Sequence, residues 1–440
     1  MTELPKRTVA RTARLASIPL GYAGRATLGL GRRIGGAPAD AVASQVQERT
    51  AEQLFKVLGE LKGGAMKLGQ ALSIFESALP ESLVAPYRTT LTRLQDSAPP
   101  MQSGMVHQVL ARELGGGWRR DLVEFDDDPA AAASIGQVHH GRWRDGREVA
   151  IKIQYPGAGD AVMSDLKTLG RAARLFAGLV PGLDIKPLID ELRARVVEEL
   201  DYRLEADAQR QFAAEFLDDP LIVVPGVVTN TDTVLVTEWL ESPRSLARLI
   251  ADGTQQERDH FGEVYVRFLF SGPDRTGLLH ADPHPGNFRL MHDGRLGVVD
   301  YGAVARLPDG ALPRVIGRLL RRAVDDDYDA VLDGLREAGF VRPGITLDAD
   351  KLRDYLSPFV EPAAVERFQF SREWMRGQFN RLNDPRATDF GTMLKITLPP
   401  EFLLIHRVWL GGIGVLSQLG AEAPFARILA ESLPEFTPQN

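Results

Sequence analysis

Residues 280–287 read His280-Ala281-Asp282-Pro283-His284-Pro285-Gly286-Asn287, and Asp300-Tyr301-Gly302 follows after a short apolar run. An Asp five residues before an Asn, with a second Asp further along, supplies the carboxylate and amide oxygens that hard cations such as Mg²⁺ prefer. Asp, Asn, Gly and Pro are also ordinary turn residues. A surface loop with incidental acids is therefore the alternative interpretation.

A β-hairpin is predicted between the Asn and the second Asp. Two short strands, over residues 288–291 and 295–299, flank the turn His292-Asp293-Gly294, and Asp-Gly is typical of hairpin turns. Such a hairpin carries Asn287 at its entrance and Asp300 at its exit. The sequence therefore predicts that these two side chains lie at the same end of the hairpin and share metal ions.

The same order of residues serves phosphoryl transfer in protein kinases. There the first Asp contacts the attacking hydroxyl, the Asn holds a magnesium ion, and the Asp of a D-F-G turn holds magnesium across the β- and γ-phosphates. Asp282 is accordingly the candidate base or water-positioning residue. Asn287 and Asp300 are the candidate metal ligands, with ATP and Mg²⁺ as the expected cofactors.

The composition is that of a globular protein. The chain has 440 residues, of which 44% are hydrophobic and 25% charged, enough for two or three domains or for one large two-lobed enzyme. A formal net charge of −7 argues against nucleic acid as a partner. The chain has no Cys, which excludes disulfides, thiolate catalysis and Cys-ligated metals, and fits a reducing cytoplasm.

The first 38 residues are basic, with apolar residues between the charges. This pattern is typical of a segment that lies on an anionic membrane surface, although a disordered basic leader fits equally well. Near the other end, residues 402–416 are apolar but are interrupted by His406 and Arg407. The uninterrupted part is too short to span a bilayer, so a packed helix is expected. We therefore expect a cytoplasmic protein, with any membrane contact peripheral.

Two helices are predicted over residues 39–61 and 65–77 from their apolar periodicity. The second contains Lys67 and Gln70, which are three apart and share a helix face. Between them, Gly69 costs about 1 kcal/mol relative to Ala inside a helix. Close approach of another element would explain this glycine, whereas an ordinary solvated helix face is the alternative.

A series of strands follows, from Leu122–Phe125 to the strand Glu148–Gln154. Its order of strand, small-residue loop, strand, turn and strand is typical of the small lobe of a protein kinase, in which the loop covers the nucleotide. The lysine of the Val-Ala-Ile-Lys strand contacts the α- and β-phosphates in kinases, so Lys152 is the candidate phosphate lysine. The candidate nucleotide-covering residues are Ala130, Ala131, Ala132, Ala133, Ser134 and Gln137.

The alanine run leaves two interpretations open. Alanines have less access to positive φ than the glycines that kinases use, so a loop built from them is stiffer. Four alanines in a row could equally begin a helix, because Ala is the best helix former.

A long helix is predicted from about residue 186 to residue 217, and it contains Glu198, Glu199, Asp201 and Glu205. A kinase needs an acid on this helix to hold the phosphate lysine. Asp201 and Glu205 share a face, but the spacing alone does not choose the partner of the lysine.

Two further strands, over residues 222–228 and 233–237, lead to Glu238-Trp239-Leu240-Glu241. In a kinase the chain crosses here between the lobes and offers backbone groups to the adenine, which makes Glu238 and Leu240 candidate nucleotide contacts. Trp239 is equally compatible with a core position.

The rest of the chain is predicted to be mostly helical. The helices are expected over residues 245–250, 256–270, 312–322, 328–337, 349–356, 372–380 and 401–416. The prediction is thus an α+β, two-lobed protein-kinase-like fold with an N-terminal helical extension and a mostly helical C-terminal lobe. Its expected parts are residues 1–38, 39–117, 118–240 and 241–440.

Taken together, the motifs resemble the UbiB/ADCK family of atypical kinases, whose members support quinone biosynthesis and lipid homeostasis. The matching stretches are Lys67-x-Gly69-Gln70, Leu94-Gln95-Asp96, Ala130 to Gln137, Val149 to Lys152, Glu199-Leu200-Asp201-Tyr202, His280 to Asn287 and Asp300-Tyr301-Gly302. The resemblance implies that the N-terminal helices fold over the nucleotide site and that Glu205 holds Lys152.

The resemblance also implies a regulatory role for the Lys67-x-Gly69-Gln70 motif. In the family, its lysine and glutamine enter the space that a peptide substrate would occupy, where they meet the acids at positions 199 and 201. The sequence departs from the family at Tyr301, where Phe is usual. No Ala-Pro-Glu follows Gly302, so a peptide-binding activation segment is not expected, and paired C-terminal membrane helices are not recognised.

Three functions remain open on the sequence. The first is a magnesium-dependent ATPase or kinase that serves a lipid or an isoprenoid quinone precursor. The second is a phosphotransferase acting on a small hydroxylated compound, as aminoglycoside and choline kinases do, although these should lack the Lys67–Gln70 helix. The third is a nucleotide-gated pseudokinase scaffold, against which the full set of candidate site residues counts. The sequence does not indicate an oligomeric state.

Overall fold

The computed structural model describes residues 100–133, 135–160, 163, 167, 197–242, 244–383 and 395–437. Several predictions fall outside these residues. They are the basic segment, the helices predicted over residues 39–61 and 65–77 with Lys67, Gly69 and Gln70, the loop residue Ser134, and the first part of the long helix predicted from residue 186.

The chain forms two compact units. The first comprises Met1–Val109, Asp127–His139 and Lys152–Leu200, and the second comprises Leu110–Asp126, His140–Ile151 and Asp201–Asn440. The strands Gly136–Trp143 and Glu148–Gln154 each begin in one unit and end in the other.

The described helices are α1 Ser103–Glu113, α2 Tyr202–Glu215, α3 Leu246–Asp252, α4 Gln255–Thr276, α5 Arg314–Val324, α6 Tyr328–Glu337, α7 Ala349–Val360, α8 Arg372–Asn383, α9 Leu403–Leu419 and α10 Phe425–Ser432. The strands are β1 Leu122–Phe125, β2 Ala131–Ala133, β3 Gly136–Trp143, β4 Glu148–Gln154, β5 Ile222–Val223, β6 Val227–Asn230, β7 Val234–Glu238, β8 Arg244–Ser245, β9 Leu278–His280, β10 Phe288–Leu290, β11 Leu296–Val298, β12 Val304–Arg306, β13 Phe368–Gln369 and β14 Glu422–Ala423. The predicted α+β class is confirmed.

The largest sheet has six strands in the order β1-β3-β4-β7-β6, and β2 pairs with β3 outside this path. The alanine run is therefore neither an open loop nor a helix. It forms β2, which pairs antiparallel with the start of β3 from Ala131 opposite Val138 to Ala133 opposite Gly136. A Cβ at Gly136 would lie 2.1 Å from the carbonyl oxygen of Ile153, so the hairpin can approach β4 this closely only with glycine there.

The predicted long helix does not continue through residue 201. Asp201 has extended backbone angles and caps α2, its side chain accepting a hydrogen bond from the backbone N–H of Arg203. Asp is among the preferred N-cap residues because its oxygen satisfies one of the unpaired N–H groups of the first turn. Asp201 and Glu205 therefore do not share a helix face, and the expectation that they do was wrong.

The strand predicted over residues 222–228 is two strands in different sheets. β5 pairs with β11 in a four-stranded sheet of order β5-β11-β10-β8, whereas β6 pairs with β7 in the six-stranded sheet. The chain changes sheet at Pro225-Gly226, where the Gly226 N–H donates to the Glu238 carboxylate over 3.0 Å.

Helix α4 runs on past the Gly-Pro pair that was expected to end it. Pro273 lies inside its last turns, and the helix ends at Gly277, whose left-handed φ of 69° is typical of a helix C-terminus. Gly272 and Pro273 are buried in the helix, so tertiary packing outweighs the local cost of the proline. α4 packs against α2, α9, α10 and β9, and so forms the centre of the second unit.

Candidate functional site

The hairpin predicted beside the candidate metal ligands is present. β10 and β11 pair antiparallel from Phe288 opposite Val298 to Leu290 opposite Leu296. The ladder continues one step towards the site, where the Val299 N–H donates to the Asn287 carbonyl over 2.9 Å. This pairing fixes Asn287 and the residue before Asp300 opposite one another, and the prediction that both candidate ligands lie at the same end is confirmed.

Asp282 and Asn287 contact each other directly. The Asn287 Nδ2 donates to Asp282 Oδ2 over 2.7 Å. An ionised carboxylate only accepts, so the amide must turn its NH₂ towards Asp282 and its Oδ1 away. That leaves the Asn287 amide oxygen, the atom that binds hard cations, directed away from Asp282.

Asp300 has a backbone conformation that non-glycine residues seldom adopt. Its φ is 69°, and its Oδ1 accepts from the Gly302 N–H over 3.1 Å. Its carbonyl oxygen lies 2.9 Å from His280 Nε2. Since a carbonyl only accepts, Nε2 carries the proton of this buried imidazole. Burial lowers the pKa of His280, so the ring is neutral and holds Asp300 by a hydrogen bond without charge.

A row of rings connects this turn to helix α2. Tyr301 is buried, and its ring centroid lies 5.3 Å from that of His280 and 5.0 Å from that of Phe212 on α2. Glu205 is seven residues before Phe212 and therefore lies on the same face of the helix. Glu205 is only 5% exposed, which distinguishes it from an ordinary solvent-facing acid.

Asp282 also contacts a residue that the sequence did not single out. Arg407 Nη2 lies 3.1 Å from Asp282 Oδ1, and the two side chains are 15% and 19% exposed. Arg407 belongs to α9, the apolar helix near the end of the chain. The only signal in the sequence was a charge interrupting an apolar run, and nothing in the spacing connects residue 407 with residue 282.

One packing contact and one hydrogen bond hold the loop between Asp282 and Asn287. A Cβ at Gly411 would lie 2.3 Å from Pro283 Cγ, so α9 lies directly against the loop one turn beyond Arg407. The Tyr265 hydroxyl on α4 donates to the Pro283 carbonyl over 2.7 Å. Burial, together with the negative charge of Asp282, raises the pKa of Tyr265 well above its usual value, so this donor keeps its proton.

The candidate adenine-contacting residues lie at the end of strand β7, where Glu238 is its last residue, and just beyond it. The Glu238 carboxylate accepts from the Gly226 N–H and lies 3.1 Å from Arg147 Nη1. Leu240 packs on the hairpin, because a Cβ at Gly297 would lie 2.7 Å from its Cδ1. The backbone of this segment is held by the Trp239 N–H, which donates to the Glu148 carbonyl over 2.9 Å.

Other predicted site residues belong to the first unit. Lys152 and Glu199 lie there, and so do the alanines of β2. Gln137 is 1% exposed, and its amide bonds to the Met101 N–H over 2.7 Å and to His139 Nε2 over 2.7 Å. Its side chain therefore fixes the start of β3. The pairing of Lys152 with Glu205 stays a prediction.

The oxygen atoms around the hairpin fit Mg²⁺ bound together with a polyphosphate. In the described parts of the chain no three His, Cys, Asp or Glu side chains form a metal cage. Magnesium at phosphoryl-transfer sites is usually held by one or two carboxylates together with substrate phosphates and waters. The Asp300 carboxylate and the Asn287 amide oxygen are of the chemical type that such a partial set requires.

Comparison with known proteins shows which family the chain belongs to. Residues 93–334, more than half of the chain, match the ABC1 atypical kinase-like domain. The chain belongs to the UbiB/ADCK family of atypical kinases. This match covers the alanine strand, Lys152, α2, the 280–287 loop and Asp300, and it ends well before Arg407.

Individual relatives support the assignment of this chain to the UbiB/ADCK family. It is 31% identical over 299 residues to the mitochondrial atypical kinase COQ8B of Rattus norvegicus, covering 67% of this chain and 55% of the relative. It is 30% identical over 393 residues to the chloroplastic ACTIVITY OF BC1 COMPLEX KINASE 1 of Arabidopsis thaliana, covering 86% and 54%. The chain thus spans about half the length of these relatives. Their names describe them as mitochondrial and chloroplastic proteins.

A solved structure is similar over nearly the whole chain. The Rv3197–erythromycin complex from Mycobacterium tuberculosis is 42% identical, with a TM-score of 0.70, and the match covers 91% of this chain and 100% of that one. The kinase-like fold expected from the sequence is thereby supported by both the family and a solved relative.

Residues Pro400–Leu419, which include α9, are long and apolar enough to cross a membrane by length and composition alone. In the structure 61% of its most apolar 18-residue stretch is buried inside the protein. Leu404, Val408 and Leu416 are among its residues in the main core cluster. The packing agrees with the expected core helix.

Proposed function

We propose that this UbiB/ADCK member binds Mg-ATP and uses it as an ATPase or a small-molecule kinase in the service of an isoprenoid quinone precursor or another lipid. The observation that carries the proposal is the hydrogen-bonded pair Asp282–Asn287 beside Asp300 at one end of the β10–β11 hairpin. The relatives include mitochondrial atypical kinases of the COQ8 group.

Each residue has a separate task in this proposal. Asp300 and the Asn287 amide oxygen would hold magnesium, which neutralises charge on the β- and γ-phosphates when bound. Asp282 would accept the proton of the attacking hydroxyl or orient a water molecule. Lys152, held by Glu205, would contact the α- and β-phosphates. The neutral His280 fixes the backbone of Asp300 without adding a positive charge near the metal.

A calorimetric titration with ATP tests the metal assignment. Asp300→Asn removes the negative charge that holds the cation, and we expect magnesium-dependent ATP affinity to fall by at least about tenfold, since charged ligands dominate such sites. Asp293→Asn is the matched control, because Asp293 lies in the turn at the far end of the same hairpin and pairs with Arg295. Wild-type affinity in Asp300→Asn would refute the assignment.

The acceptor class needs a separate assay. We expect ATP turnover by the wild-type chain to rise when vesicles containing an isoprenoid quinone precursor are added. A rise with aminoglycosides or choline instead would favour a small-molecule phosphotransferase. ATP binding without turnover under any of these conditions would favour a scaffold role.

A macrolide is a second candidate ligand. The relative that is 42% identical over nearly its whole length was solved in complex with erythromycin. We propose that this chain also binds a macrolide, and calorimetry with erythromycin in the absence and presence of Mg-ATP tests this. Absence of binding in both titrations would exclude the proposal.

A further inference from the structure

The ion pair between α9 and the 280–287 loop is unusually sequestered. Among the ion pairs of the described residues, Arg407 has the least exposed arginine side chain, at 15%. The other paired arginines are 23% exposed or more, as Arg267 is. An arginine that has lost this much water needs a partner, because burying an unpaired charge is costly. Its partner is Asp282, the residue proposed to act on the phosphate acceptor.

The two oxygens of Asp282 are held by different side chains. Oδ2 accepts from Asn287 Nδ2 over 2.7 Å, and Oδ1 accepts from Arg407 Nη2 over 3.1 Å. One partner is five residues away in the loop and the other is on a helix at the far end of the chain. Contacts at both oxygens restrict rotation of the carboxylate more than a single contact would.

The backbone around this ion pair is fixed as well. Gly411 brings α9 against Pro283, and Tyr265 bonds to the Pro283 carbonyl. The guanidinium therefore approaches Asp282 from a helix that is packed directly on the loop. An arginine does not deprotonate in proteins, so it presents a constant positive charge to this carboxylate.

We propose that Arg407 is a positioning residue for Asp282, supplied by the C-terminal helix from outside the matched kinase-like domain. This inference rests on the proposed function, because the orientation of Asp282 matters only if Asp282 acts on an acceptor or on water. A purely structural arginine would attach α9 to the loop and affect stability. A positioning arginine also sets the orientation of the carboxylate and so affects the rate of the chemical step.

Steady-state ATP turnover by the full-length chain separates these roles. In Arg407→Gln we expect kcat to fall by about ten- to a hundredfold, the range for a displaced catalytic group. The KM for ATP should stay within about threefold, because Arg407 is not placed on the nucleotide. Arg407→Lys keeps the charge but loses the planar fork, and we expect its kcat to lie between those of Arg407→Gln and the wild type.

The control is Arg427→Gln on α10. Arg427 forms ion pairs with Glu263 and Glu431, and neither partner belongs to the 280–287 loop. We expect its kcat to match that of the wild type.

ATP affinity measured on every variant shows whether the site is still folded. If Arg407→Gln does not fold, Arg407→Lys is compared with the wild type alone, and we expect a lower kcat at constant KM.

The outcomes distinguish this inference from the proposal on which it rests. A wild-type chain with no magnesium-dependent turnover would overturn the proposed function and this inference with it. An active wild type with kcat unchanged in Arg407→Gln, or in Arg407→Lys where only that variant folds, would overturn the inference alone. A loss that appears entirely in KM would also overturn it.

Discussion

Tyr301 lies in an environment that suits a phenyl ring better than a phenol. Its hydroxyl is buried and has no hydrogen-bond partner in the part of the chain that the structure describes. Burying a hydroxyl without a partner costs about 1–3 kcal/mol. We expect Tyr301→Phe to leave the free energy of unfolding unchanged or to raise it by about 1 kcal/mol, measured by denaturant titration.

Tyr265→Phe provides the comparison at the same scale. Tyr265 is equally buried, but its hydroxyl donates to the Pro283 carbonyl over 2.7 Å. Removing that donor should lower the free energy of unfolding by about 1–2 kcal/mol, because the carbonyl loses its partner. A Tyr301→Phe variant that loses as much as Tyr265→Phe would show that Tyr301 has a partner after all.

Among the elements, the contact of α9 with the 280–287 loop depends on a single glycine. A Cβ at Gly411 would lie 2.3 Å from Pro283 Cγ, whereas one at Gly414 would meet no atom within 4 Å. Gly411→Ala should therefore force the helix away from the loop, with a loss of about 1–3 kcal/mol typical of overpacking. Gly414→Ala should be neutral or stabilising by up to about 1 kcal/mol, because Ala favours helix more than Gly.

Thermal and denaturant unfolding of the two glycine variants measures this difference. If Arg407 positions Asp282, Gly411→Ala should also reduce ATP turnover, since it displaces the helix that carries the arginine. Equal stability of the two variants would mean that α9 moves away from Pro283 at little cost, contrary to the close packing.

The sequence predicts the limits of helices and strands well where residues within the segment determine them. It does not predict limits that depend on tertiary packing. β1, β4 and α6 have the predicted limits, because alternation, turn residues and apolar periodicity lie within each segment. The Asp-Gly hairpin was predicted from its turn. The continuation of α4 through Pro273 was not, because buried packing overrode the local effect of proline. The sequence pattern places Asp201 inside a helix, whereas the structure shows it as an N-cap, a position that Asp commonly takes.

Across the whole molecule, the sequence again predicts the site residues that are close together along the chain, but not those that only packing brings together. Asp282, Asn287 and Asp300 lie within twenty residues of one another, and one hairpin brings them together. Arg407 reaches Asp282 across 125 residues of sequence. Its partner depends on how α9 packs on the loop, which periodicity does not specify. A sequence pattern can predict that the helix exists and which residues interrupt it, but not what those residues contact.

The acid stability of the whole chain should depend on His406, the neighbour of Arg407. The residue is partly exposed, but its Nδ1 is fully buried and has no partner among the described residues. Burial lowers its pKa to about 4. An unfolded chain binds this proton near pH 6.5. The unfolded state is therefore favoured increasingly as the pH falls from about 6.5 to 4, and stability is lost over that interval.

We expect His406→Phe to remove about 1 kcal/mol of the stability lost between pH 7.5 and 5, a value reduced for the partial exposure of the residue. Phenylalanine keeps a ring beside Phe359 and needs no hydrogen bond at the buried position. Urea titrations at pH 7.5, 6 and 5 measure the effect, with His292→Gln in the exposed hairpin turn as control. Part of the dependence should remain in His406→Phe, because burial also lowers the pKa of His280. An unchanged loss between pH 7.5 and 5 would show that His406 already takes up its proton in the folded chain.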